Sequence, residues 1–566
     1  MRKLLILFFV FATVYSFAQN FQWVKSMGGT GGEGANGVAV DIDGNVYTIG
    51  AFQNGTNFDP GVTNFSITST GTTKFITKHN AAGNFLWVKC LSSDVRMYDI
   101  LIDANNRVVI CGYYNNNPDF DPGSGVFNIP IPAGSASFVL KLDNNGNFIW
   151  AKGFNDEQGN LYAMTTDNAS NLYFCGSYTT LFSTPDFDPG SATYNLTGGG
   201  SYVLKLDSSG NFILAKTLGY IIPSSIAVDA SQNILTTGYF SGTNDFDPGT
   251  GTFTLTSTGP PVPANYHRDI FISKLDQNGN FVWAKKPSCY YGDEANSIAT
   301  DGSGNVYITG YFNNGGNTGG YMDLDYPAVG QHTLSSVSTW SDSFVAKYDQ
   351  FGNAVWAKNF GSTDTSDDGY ALATDPAENL YVLGRFRGPV DFNAGDGPIG
   401  SGWGLAYILK LNSSGNTLVA GCINVYFSKP CNNMAVDHLQ QIYIVGGATT
   451  TTDVDPQIGV VYPINAGGYD AFVLKLSTPF VGIEEKKMEK EILTIYPNPN
   501  NGSFTIKSEN ELKLNLTNSW GQVLQTIELN RMNNYEVKTE LLSSGIYFLS
   551  GIGESQTVKQ KIVVTK

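Results

Sequence analysis

The sequence has few charged residues, and those it has are mostly acidic. Charged side chains make up 14% of the 566 residues, whereas about 25% is typical of globular proteins. Lysine and arginine number 33 against 49 aspartates and glutamates, so the formal net charge is −16. No cluster of basic residues occurs. Because proteins bind phosphate backbones by neutralising them with lysine and arginine, this composition argues against nucleic acid as a partner.

Common catalytic and metal-binding motifs are also missing. The chain has no H-E-x-x-H, G-x-S-x-G or G-x-x-x-x-G-K-[ST] segment, so no catalytic residue or cofactor is assigned. None of the six cysteines forms a C-x-x-C pair, which argues against zinc and thioredoxin-like sites. Two interpretations apply to Cys422 and Cys431: they form a disulfide after export, or they are two free thiols. The histidines are interpreted as surface or loop residues; they are His79, His267, His332 and His438.

One long apolar run occurs, and it lies at the N-terminus. An arginine and a lysine precede the apolar residues 4–14, and small residues follow up to Ala18. This arrangement is typical of a secretory signal peptide and is too short for a membrane span. We expect residues 1–18 to be removed by cleavage between Ala18 and Gln19. No later stretch approaches the roughly 18 apolar residues of a transmembrane helix, so no transmembrane span is expected.

The chain is rich in glycine, aromatic residues and internal repetition. It contains 64 glycines, 35 phenylalanines and 30 tyrosines, a composition typical of turn-rich β proteins. One phrase recurs seven times between residues 21 and 479, with a period of about 62 to 74 residues. It comprises F-x-W-A-K, an apolar strand ending in aspartate, G-N-x-Y-x-x-G-Y-F, D-F-D-P-G and F-x-x-K-L-D-x-x-G-N. The strand-ending aspartates are Asp41, Asp103, Asp167, Asp229, Asp301, Asp375 and Asp437, and the lysines are Lys78, Lys141, Lys205, Lys274, Lys347, Lys410 and Lys475.

Each copy contains four strand-like segments joined by tight turns rich in glycine and asparagine. Four-stranded antiparallel units repeated seven times predict an all-β fold, with a seven-bladed β-propeller over residues 19–479. The repeats begin with a fourth strand at residues 21–25 and end with a third strand at residues 472–476. We therefore expect the N-terminal strand to complete the last blade and close the ring, which removes the open sheet edges.

Two phrases of the repeat resemble a known family. G-N-x-Y-x-x-G and F-x-x-K-x-D-x-x-G-N-x-x-W are similar to the SBBP-type seven-bladed β-propeller repeats of secreted bacterial proteins. The resemblance covers most of the chain and implies the propeller fold. It implies little about activity, because propellers include both enzymes and binding scaffolds.

The composition changes after residue 479. Residues 480–490 are densely charged and are interpreted as a linker. Residues 491–566 contain six or seven short strand-like segments, which predict a small immunoglobulin-like β-sandwich. An ordinary accessory sandwich is one interpretation of this region, and a more specific one follows from its sequence motifs.

The motifs of this region resemble the C-terminal sorting domain of type IX secretion. They are Y-P-N-P-x-x-G, G-Q-V, S-G-I-Y-F and the closing K-I-V-V, and they extend over the whole domain. By this resemblance Gly545, Tyr547 and Lys561 are sorting-motif residues, and the type IX secretion machinery is a partner. The resemblance implies a protein that is secreted or attached to the outer surface of a Gram-negative outer membrane.

The D-F-D-P-G segment recurs in every copy, either unchanged or with substitutions, between the second and third strands. The second aspartate and Pro-Gly are typical of a turn, because the carboxylate accepts the backbone N–H two residues later. The first aspartate is not explained by the turn. Aspartates two residues apart share one face of a strand, so a Ca²⁺ site completed by carbonyls or water is the alternative. The candidate ligands are Asp119, Asp121, Asp186, Asp188, Asp245, Asp247, Asp323 and Asp325.

The predicted function is a secreted or surface-attached binding scaffold, expected to be a monomer, whose loops bind a glycan, a protein or another surface. The alternative is an extracellular polysaccharide-active hydrolase or lyase with its site at the central opening of the loop-rich face. Catalysis requires one asymmetric set of residues. The copies differ most at residues 260–268 and 313–340, so a special site is expected near them. A purely structural component of the cell surface is the third interpretation.

Overall fold

The computed structural model describes most of the chain from residue 20 to residue 564. The residues outside this description are 1–19, 60–63, 70, 131–133, 155–158, 180–183, 259–267, 290, 314–320, 326–331, 337–339, 363–365, 393–404, 424–432, 449–468, 478–492, 497–501, 509–510, 519–521, 540–541, 553–556 and 565–566. The chain forms two compact units, Met1–Pro479 and Phe480–Lys566. In the described part, all regular elements are β-strands except a 3-10 helix at Arg531–Asn533.

The larger unit contains seven antiparallel four-stranded blades, which we number 1 to 7; six are separate sheets, and the sheet of blade 7 continues from its fourth strand into a short hairpin of blade 1. Given from first to fourth strand, blade 1 contains β2 (Gly34–Val40), β3 (Val46–Phe52), β6 (Thr73–His79) and β7 (Phe85–Leu91); blade 2 contains β8 (Val95–Ile102), β9 (Val108–Asn115), β10 (Ser135–Leu142) and β11 (Phe148–Gly153); and blade 3 contains β12 (Asn160–Thr166), β13 (Leu172–Tyr178), β14 (Gly200–Leu206) and β15 (Phe212–Gly219). Blade 4 contains β16 (Ile221–Val228), β17 (Ile234–Phe240), β20 (Asp269–Leu275) and β21 (Phe281–Lys285), and blade 5 contains β22 (Glu294–Thr300), β23 (Val306–Asn313), β26 (Ser341–Tyr348) and β27 (Ala354–Phe360). Blade 6 contains β28 (Asp368–Thr374), β29 (Leu380–Phe386), β30 (Leu405–Leu411) and β31 (Thr417–Ile423), and blade 7 contains β32 (Asn433–Val436), β33 (Gln441–Ala448), β34 (Asp470–Ser477) and β1 (Asn20–Gly29). Short hairpins between second and third strands are β4 (Gly55–Asn57) with β5 (Ser66–Thr68), β18 (Thr243–Asp245) with β19 (Thr254–Thr256), and β24 (Tyr321–Asp323) with β25 (Thr333–Ser335).

The blades form a closed ring around a central channel. The first strand of every blade contacts the first strands of both neighbouring blades, in the order β2, β8, β12, β16, β22, β28, β32 and back to β2. The N-terminal strand β1 pairs antiparallel with β34, with Trp23 opposite Lys475, and is the fourth strand of blade 7. The predicted all-β fold and the closure of the propeller by its N-terminal strand are confirmed.

The first and second strands of each blade are joined by a turn that depends on the strand-ending aspartate. In blade 1, Asp41 Oδ1 accepts hydrogen bonds from the backbone N–H groups of Asp43 at 3.1 Å and Asn45 at 2.8 Å. Asp41 Oδ2 accepts from Asn45 Nδ2 at 2.8 Å and from the hydroxyl of the buried Tyr47 at 3.1 Å. Gly44 has a φ of +76°, a conformation that glycine adopts without steric cost. The G-N-x-Y phrase therefore encodes this turn and its hydrogen bonds.

Neighbouring blades are joined by the repeated lysine and tryptophan. At the junction of blades 7 and 1, Lys475 Nζ and Trp23 Nε1 both donate to the Ala81 carbonyl, each at 3.1 Å. At the junction of blades 4 and 5, Lys274 and Trp283 both donate to the Gln350 carbonyl, at 3.3 and 3.2 Å. Five of the seven repeated lysines also form buried ion pairs with the strand-ending aspartates, as between Lys141 and Asp103 at 2.6 Å or Lys274 and Asp229 at 2.8 Å. These lysines are therefore structural residues of the blade junctions.

The smaller unit is a β-sandwich, as predicted. One sheet contains β35 (Leu493–Tyr496), β36 (Phe504–Ser508) and β39 (Glu536–Thr539); the other contains β37 (Leu512–Asn518), β38 (Val523–Leu529), β40 (Gly545–Ile552) and β41 (Thr557–Val564). Side chains from both sheets, including Ile506, Leu514 and Leu549, are fully buried between them. Of the residues described in either unit, none forms a helix long and apolar enough to cross a membrane.

Candidate functional site

The D-F-D-P-G segments form the bends of hairpins on one face of the propeller, which we call the hairpin face. In blade 2, Asp119 Oδ1 accepts hydrogen bonds from the backbone N–H groups of Asp121 at 3.0 Å and Phe127 at 2.8 Å. Asp121 Oδ1 accepts from the Gly123 N–H at 2.8 Å, as predicted for the second aspartate. The first aspartate is therefore a turn residue as well, because it holds both sides of the bend. The same contacts are made by Asp186, Asp188, Asp245 and Asp247.

The apolar residue between the two acids anchors the hairpin to its blade. Phe120 is fully buried, with its ring 5.3 Å from that of Tyr114 and 5.0 Å from that of Phe138, centroid to centroid. The acids thus shape the bend while the aromatic ring holds it on the sheet. The equivalent residues Phe58, Phe187, Phe246, Leu324 and Phe392 are also buried.

The hydrogen bonds of the hairpins explain their shape without a metal ion. In blade 5, Asp323 Oδ1 accepts from the Asp325 N–H at 3.0 Å, and Asp325 Oδ2 lies 2.9 Å from His332 Nδ1. Within the described ranges, no three His, Cys, Asp or Glu side chains come together as metal ligands. The motif residues 393–395 and 453–457 lie outside the described residues. Calcium binding by the hairpin aspartates stays a prediction.

The sorting-motif residues lie in the smaller unit, on neighbouring strands. Tyr547 is buried in the sandwich core, and its hydroxyl donates to the Ser543 carbonyl at 2.9 Å. Gly545 begins β40, and Lys561 of β41 is paired with a residue of β40 in the antiparallel register. The predicted cleavage site at Ala18 and Gln19 and the possible disulfide partner Cys431 lie outside the described residues.

One of the four histidines is not a surface or loop residue, so that prediction is wrong for it. His79 ends the third strand of blade 1 and is 1% exposed. Burial lowers the pKa of its imidazole to about 4, so the ring is neutral at pH 7. The equivalent position carries a buried leucine in blade 2, Leu142. His79 is therefore a core residue that replaces an apolar side chain.

The central channel is lined by polar side chains at the hairpin face and by both apolar and polar side chains further in, the latter including Asp99, Ser225 and Ser297. It is a cavity of about 800 Å³ lined by the first strands of all seven blades. Below the mouth it is lined by an aliphatic or methionine side chain from most blades, such as Val38, Ile100 and Met164. Asp99, Ser225 and Ser297 each accept a hydrogen bond from a backbone N–H of the next blade. A polar ligand is therefore expected to bind at the mouth, because these deeper polar groups already join neighbouring blades.

The residues at the mouth are presented by a β-bulge that recurs in six described first strands. The register shifts by one residue at the same place in each, for example between Met97 and Asp99 in blade 2. A bulge re-aims the side chain of its extra residue, and here that residue lines the channel in every case. All six bulge residues are polar or carry a hydroxyl; they are Asn36, Tyr98, Tyr162, Ser224, Asn296 and Tyr370.

Beside each bulge, a pair of residues on the first and second strands differs from blade to blade. The pairs in blades 1 to 6 are Gly34 with Ala51, Arg96 with Tyr113, Asn160 with Ser177, Ile222 with Tyr239, Glu294 with Tyr311, and Asp368 with Arg385. No two pairs are the same, although the turns and blade junctions repeat. The asymmetry that a specific site requires is therefore concentrated at the channel mouth.

The mouth side chains of blades 4 and 5 form one electrostatic group. The Arg268 guanidinium lies 4.3 Å from the ring centroid of Tyr239 and 3.4 Å from Glu294 Oε2. The Tyr311 hydroxyl donates to the same Glu294 oxygen at 2.7 Å. Burial, together with the Glu294 carboxylate, raises the pKa of Tyr311, so its hydroxyl keeps its proton. The positive charge of Arg268 is balanced within the protein.

Blade 6 balances its mouth arginine in a similar way. Arg385 Nη2 lies 2.6 Å from Asp368 Oδ2, and that oxygen also accepts a hydrogen bond from the Tyr370 hydroxyl at 3.0 Å. Burial raises the pKa of Tyr370, and the Asp368 carboxylate adds to the effect. Blades 4 to 6 therefore present hydroxyl and aromatic groups whose charged neighbours are already paired.

A second cavity opens beside the mouth, where blades 7, 1 and 2 meet. It has a volume of about 440 Å³ and is lined by Glu33, Lys74, Arg96 and Tyr469 together with several glycines. The Lys74 pKa is lowered by burial and by the positive charge of Arg96. The Glu33 pKa is raised, mainly by burial, although the Thr56 hydroxyl donates to Glu33 Oε1 at 2.9 Å.

Three blade junctions on this face contain buried pairs of acids that the repeat pattern did not single out. Asp269, Asp342 and Asp470 lie five residues before the repeated lysine, and each faces an acid of the next blade: Asp293, Asp367 and Glu33. In each case the second acid donates its backbone N–H to the carbonyl just before the first acid. The detectable signal in the sequence was that an acid five residues before the repeated lysine occurs only where the following blade of the ring has an acid just before its first strand.

Two comparisons with known sequences bear on this chain. Residues 494–565 match the family model of the secretion system C-terminal sorting domain. The uncharacterised WD repeat-containing protein L264 of Acanthamoeba polyphaga mimivirus is 27% identical over 451 residues, which cover 67% of this chain and 32% of that protein. The chain thus spans about a third of the length of this curated relative.

Solved structures with low similarity include two lyases and one secretion component. An ulvan lyase of polysaccharide lyase family PL25 has a TM-score of 0.35 at 10% identity, covering 80% of this chain and 96% of its own. A streptogramin B lyase has a TM-score of 0.33 at 8% identity, covering 80% and 98%. PorZ, a surface component of the type IX secretion system of Porphyromonas gingivalis, has a TM-score of 0.24 at 12% identity, covering 94% and 81%.

The C-terminal sorting domain indicates where the protein is located. It lies in the separate C-terminal unit, and its match covers the sandwich strands described above. The chain is an all-β propeller protein with a type IX C-terminal sorting domain, and it is secreted or attached to the outer surface of a Gram-negative bacterium.

Proposed function

We propose that the protein is an exported binding scaffold whose channel mouth on the hairpin face binds an extracellular glycan. The observation that carries the proposal is the set of six bulge residues, which bring tyrosine, asparagine and serine side chains to one opening. Tyrosine rings offer flat apolar surfaces for the carbon-bound hydrogens of a sugar ring. Amide and hydroxyl groups both donate and accept hydrogen bonds, as sugar hydroxyls require. We also infer that the repeats are of the SBBP type.

The proposal is tested by replacing the three mouth tyrosines in the chain from residue 19 to residue 566. If each ring contributes about 1 kcal/mol, Tyr98→Ala, Tyr162→Ala and Tyr370→Ala together should weaken binding roughly 100-fold. Binding is measured by affinity electrophoresis and calorimetry against a panel of neutral and acidic polysaccharides. The matched control is Phe351→Ala, which removes an exposed aromatic ring from a turn between third and fourth strands.

The control decides how the result is interpreted. Phe351→Ala should bind as the parent does, because its turn is at the opposite end of the blade from the hairpins. Undiminished binding by the triple variant would contradict the proposal, and so would an equal loss in Phe351→Ala. Far-UV circular dichroism and melting of all variants confirm that the propeller is folded.

A polysaccharide-cleaving hydrolase or lyase is the alternative, and the cavity between blades 7, 1 and 2 favours it. Glu33 and Lys74 line this cavity with pKa values shifted in opposite directions. A carboxyl with a raised pKa beside an amine with a lowered pKa suits acid–base catalysis near neutral pH. An enzyme would release new chain ends from one of the polysaccharides, and Glu33→Gln would abolish the release. No release from any member of the panel would support the scaffold.

A further inference from the structure

Several residues that line the cavity between blades 7, 1 and 2 differ from the equivalent residues of the other blades. Lys74 lies four residues before the repeated lysine of blade 1. The equivalent residues in the other six blades are all uncharged, and all are nearly or fully buried: Ser137, Ser201, Ile270, Ser343, Ala406 and Ala471. Blade 1 thus places a charged side chain where every other blade has a small or apolar one.

The residues around Lys74 are small, which creates the space that it enters. Its strand partner Ala51 and the facing Gly34 form the smallest of the mouth pairs. Gly447 of blade 7 occupies the position at which blades 2, 4 and 5 have tyrosine. A Cβ atom at Gly447 would lie 3.5 Å or more from its nearest neighbours, so a side chain could begin there without steric overlap, yet the chain has none. A cavity of about 440 Å³ results.

Two cations share this cavity. Arg96 enters it from blade 2, where its Nη1 donates to the Tyr113 hydroxyl at 3.0 Å and its guanidinium lies 5.8 Å from the Tyr113 ring centroid. The mouth arginines of blades 4 and 6 each lie within 3.4 Å of a carboxylate oxygen. Neither Lys74 nor Arg96 is within ion-pair distance of an acid in the part of the chain that the structure describes.

Placing two like charges in one partly buried cavity is unfavourable unless an anion joins them. Two neighbouring positive charges also contrast with the chain as a whole, which carries a net charge of −16. Glu33, the acid in the wall, is not within ion-pair distance of either cation, and its Oε1 accepts a hydrogen bond from the Thr56 hydroxyl at 2.9 Å. The pair is therefore available to a ligand.

We propose that Lys74 and Arg96 form a subsite for an oxyanion group, the carboxylate or sulfate of an acidic extracellular polysaccharide. The planar guanidinium donates two parallel hydrogen bonds to such a group, and the ammonium adds a point charge. The channel mouth and the cavity both include Arg96, so one glycan chain can reach both. The subsite deepens the proposed glycan binding and rests on it.

The test compares acidic and neutral polysaccharides with one set of variants in the chain from residue 19 to residue 566. Alginate supplies carboxylates, dextran sulfate supplies sulfates and dextran supplies neither. Lys74→Ser introduces the residue that three other blades carry at this place, so folding is preserved. Arg96→Gln removes the guanidinium and retains a hydrogen-bonding side chain. Lys358→Ser, on the fourth strand of blade 5, is the control for loss of one positive charge.

Lys74→Ser and Arg96→Gln should each weaken binding of the preferred acidic polysaccharide by at least about tenfold, because each removes a charged hydrogen bond. Binding of dextran, if present, should be unchanged. Lys358→Ser should bind as the parent does. The relative affinities for alginate and dextran sulfate identify the anionic group. Equal binding of acidic polysaccharide by the parent, Lys74→Ser and Arg96→Gln would overturn the subsite.

The outcomes separate this subsite from the glycan proposal on which it rests. Loss of binding in the tyrosine variant with none in Lys74→Ser would retain the glycan site and overturn the anion subsite. A thermal shift by inorganic sulfate that disappears in Lys74→Ser, with no polysaccharide bound, would retain an anion site and overturn glycan binding. The sulfate experiment uses sodium chloride of equal ionic strength as its reference, because surface charges are screened by both salts.

Discussion

A glycine packs closely against the N-terminal strand at the junction that closes the ring. Gly83 lies in the turn between the third and fourth strands of blade 1, with a φ of +79°. A Cβ atom at this position would lie 2.8 Å from Trp23 Cδ2 and 2.9 Å from Lys25 Cε, both of blade 7. Gly83→Ala therefore combines an unfavourable backbone conformation with a steric overlap across the junction that closes the ring.

The expected loss in the free energy of unfolding follows from these two causes. An alanine in the left-handed region costs about 1–2 kcal/mol, and forcing an extra carbon into a packed contact costs about 1–3 kcal/mol. We expect Gly83→Ala to lower the free energy of unfolding by about 2–5 kcal/mol in sum. The tryptophan cannot withdraw freely, because its Nε1 donates to the Ala81 carbonyl in the same turn.

Two other glycines of the propeller separate the causes. Gly134 has a φ of +75° and no atom within 4 Å of a built Cβ, so Gly134→Ala should show the backbone cost alone. Gly32 has neither feature, so Gly32→Ala should change stability by less than about 0.5 kcal/mol. Unfolding in urea is followed by tryptophan fluorescence, with the midpoint and slope fitted for each variant. If Gly83→Ala were no less stable than Gly134→Ala, the packing argument would be refuted.

Two further predictions concern metal and pH. At the hairpins, EDTA should leave the melting midpoint unchanged, and Asp119→Asn should be tolerated, since Asn57 makes the equivalent contact in blade 1 at 3.0 Å; an EDTA-sensitive midpoint would instead support calcium. At the junction of blades 5 and 6, burial raises the pKa of Asp367 to about 7, and the Asp342 carboxylate adds to the rise. Because the folded pKa exceeds the unfolded value of about 3.9, this group favours the folded state at low pH, and its contribution is lost as the pH rises from about 4 to 7, at about 1.4 kcal/mol per unit. Urea titrations across this range should show a smaller loss in Asp342→Ala, and an identical loss would contradict the pairing.

The repeat pattern alone predicted much of the architecture, for local reasons. Asp41 and Asn45 specify a turn through hydrogen bonds that span four residues, and the same spacing recurs along the chain. Counting copies and their phase then predicted that residues 21–25 complete the last blade. The sorting domain was recognisable because its motifs are contiguous in sequence. Such features depend on neighbours along the chain, so they can be predicted from it.

The candidate site could not be predicted in the same way. The bulge moves Tyr98 out of the regular alternation of its strand, and nothing in the local sequence distinguishes it from other exposed tyrosines. The copies with large insertions, at residues 260–268 and 313–340, were expected to mark the special site, but these segments lie largely outside the described residues. The cavity that contains Lys74 and Arg96 lies instead where blades 7, 1 and 2 meet.

By itself, the sequence determined the strands, the turns, the number of blades, the closing strand and the sorting domain, because each depends on short-range hydrogen bonds or on a repeated spacing. Only the tertiary structure decided which side chains meet. Closing the ring brings Glu33 beside Asp470, residues from opposite ends of the propeller sequence. The packing of blade 1 against blade 2 places Lys74 and Arg96 in one cavity. Contacts between blades depend on the curvature and register of the whole ring, which no single repeat specifies.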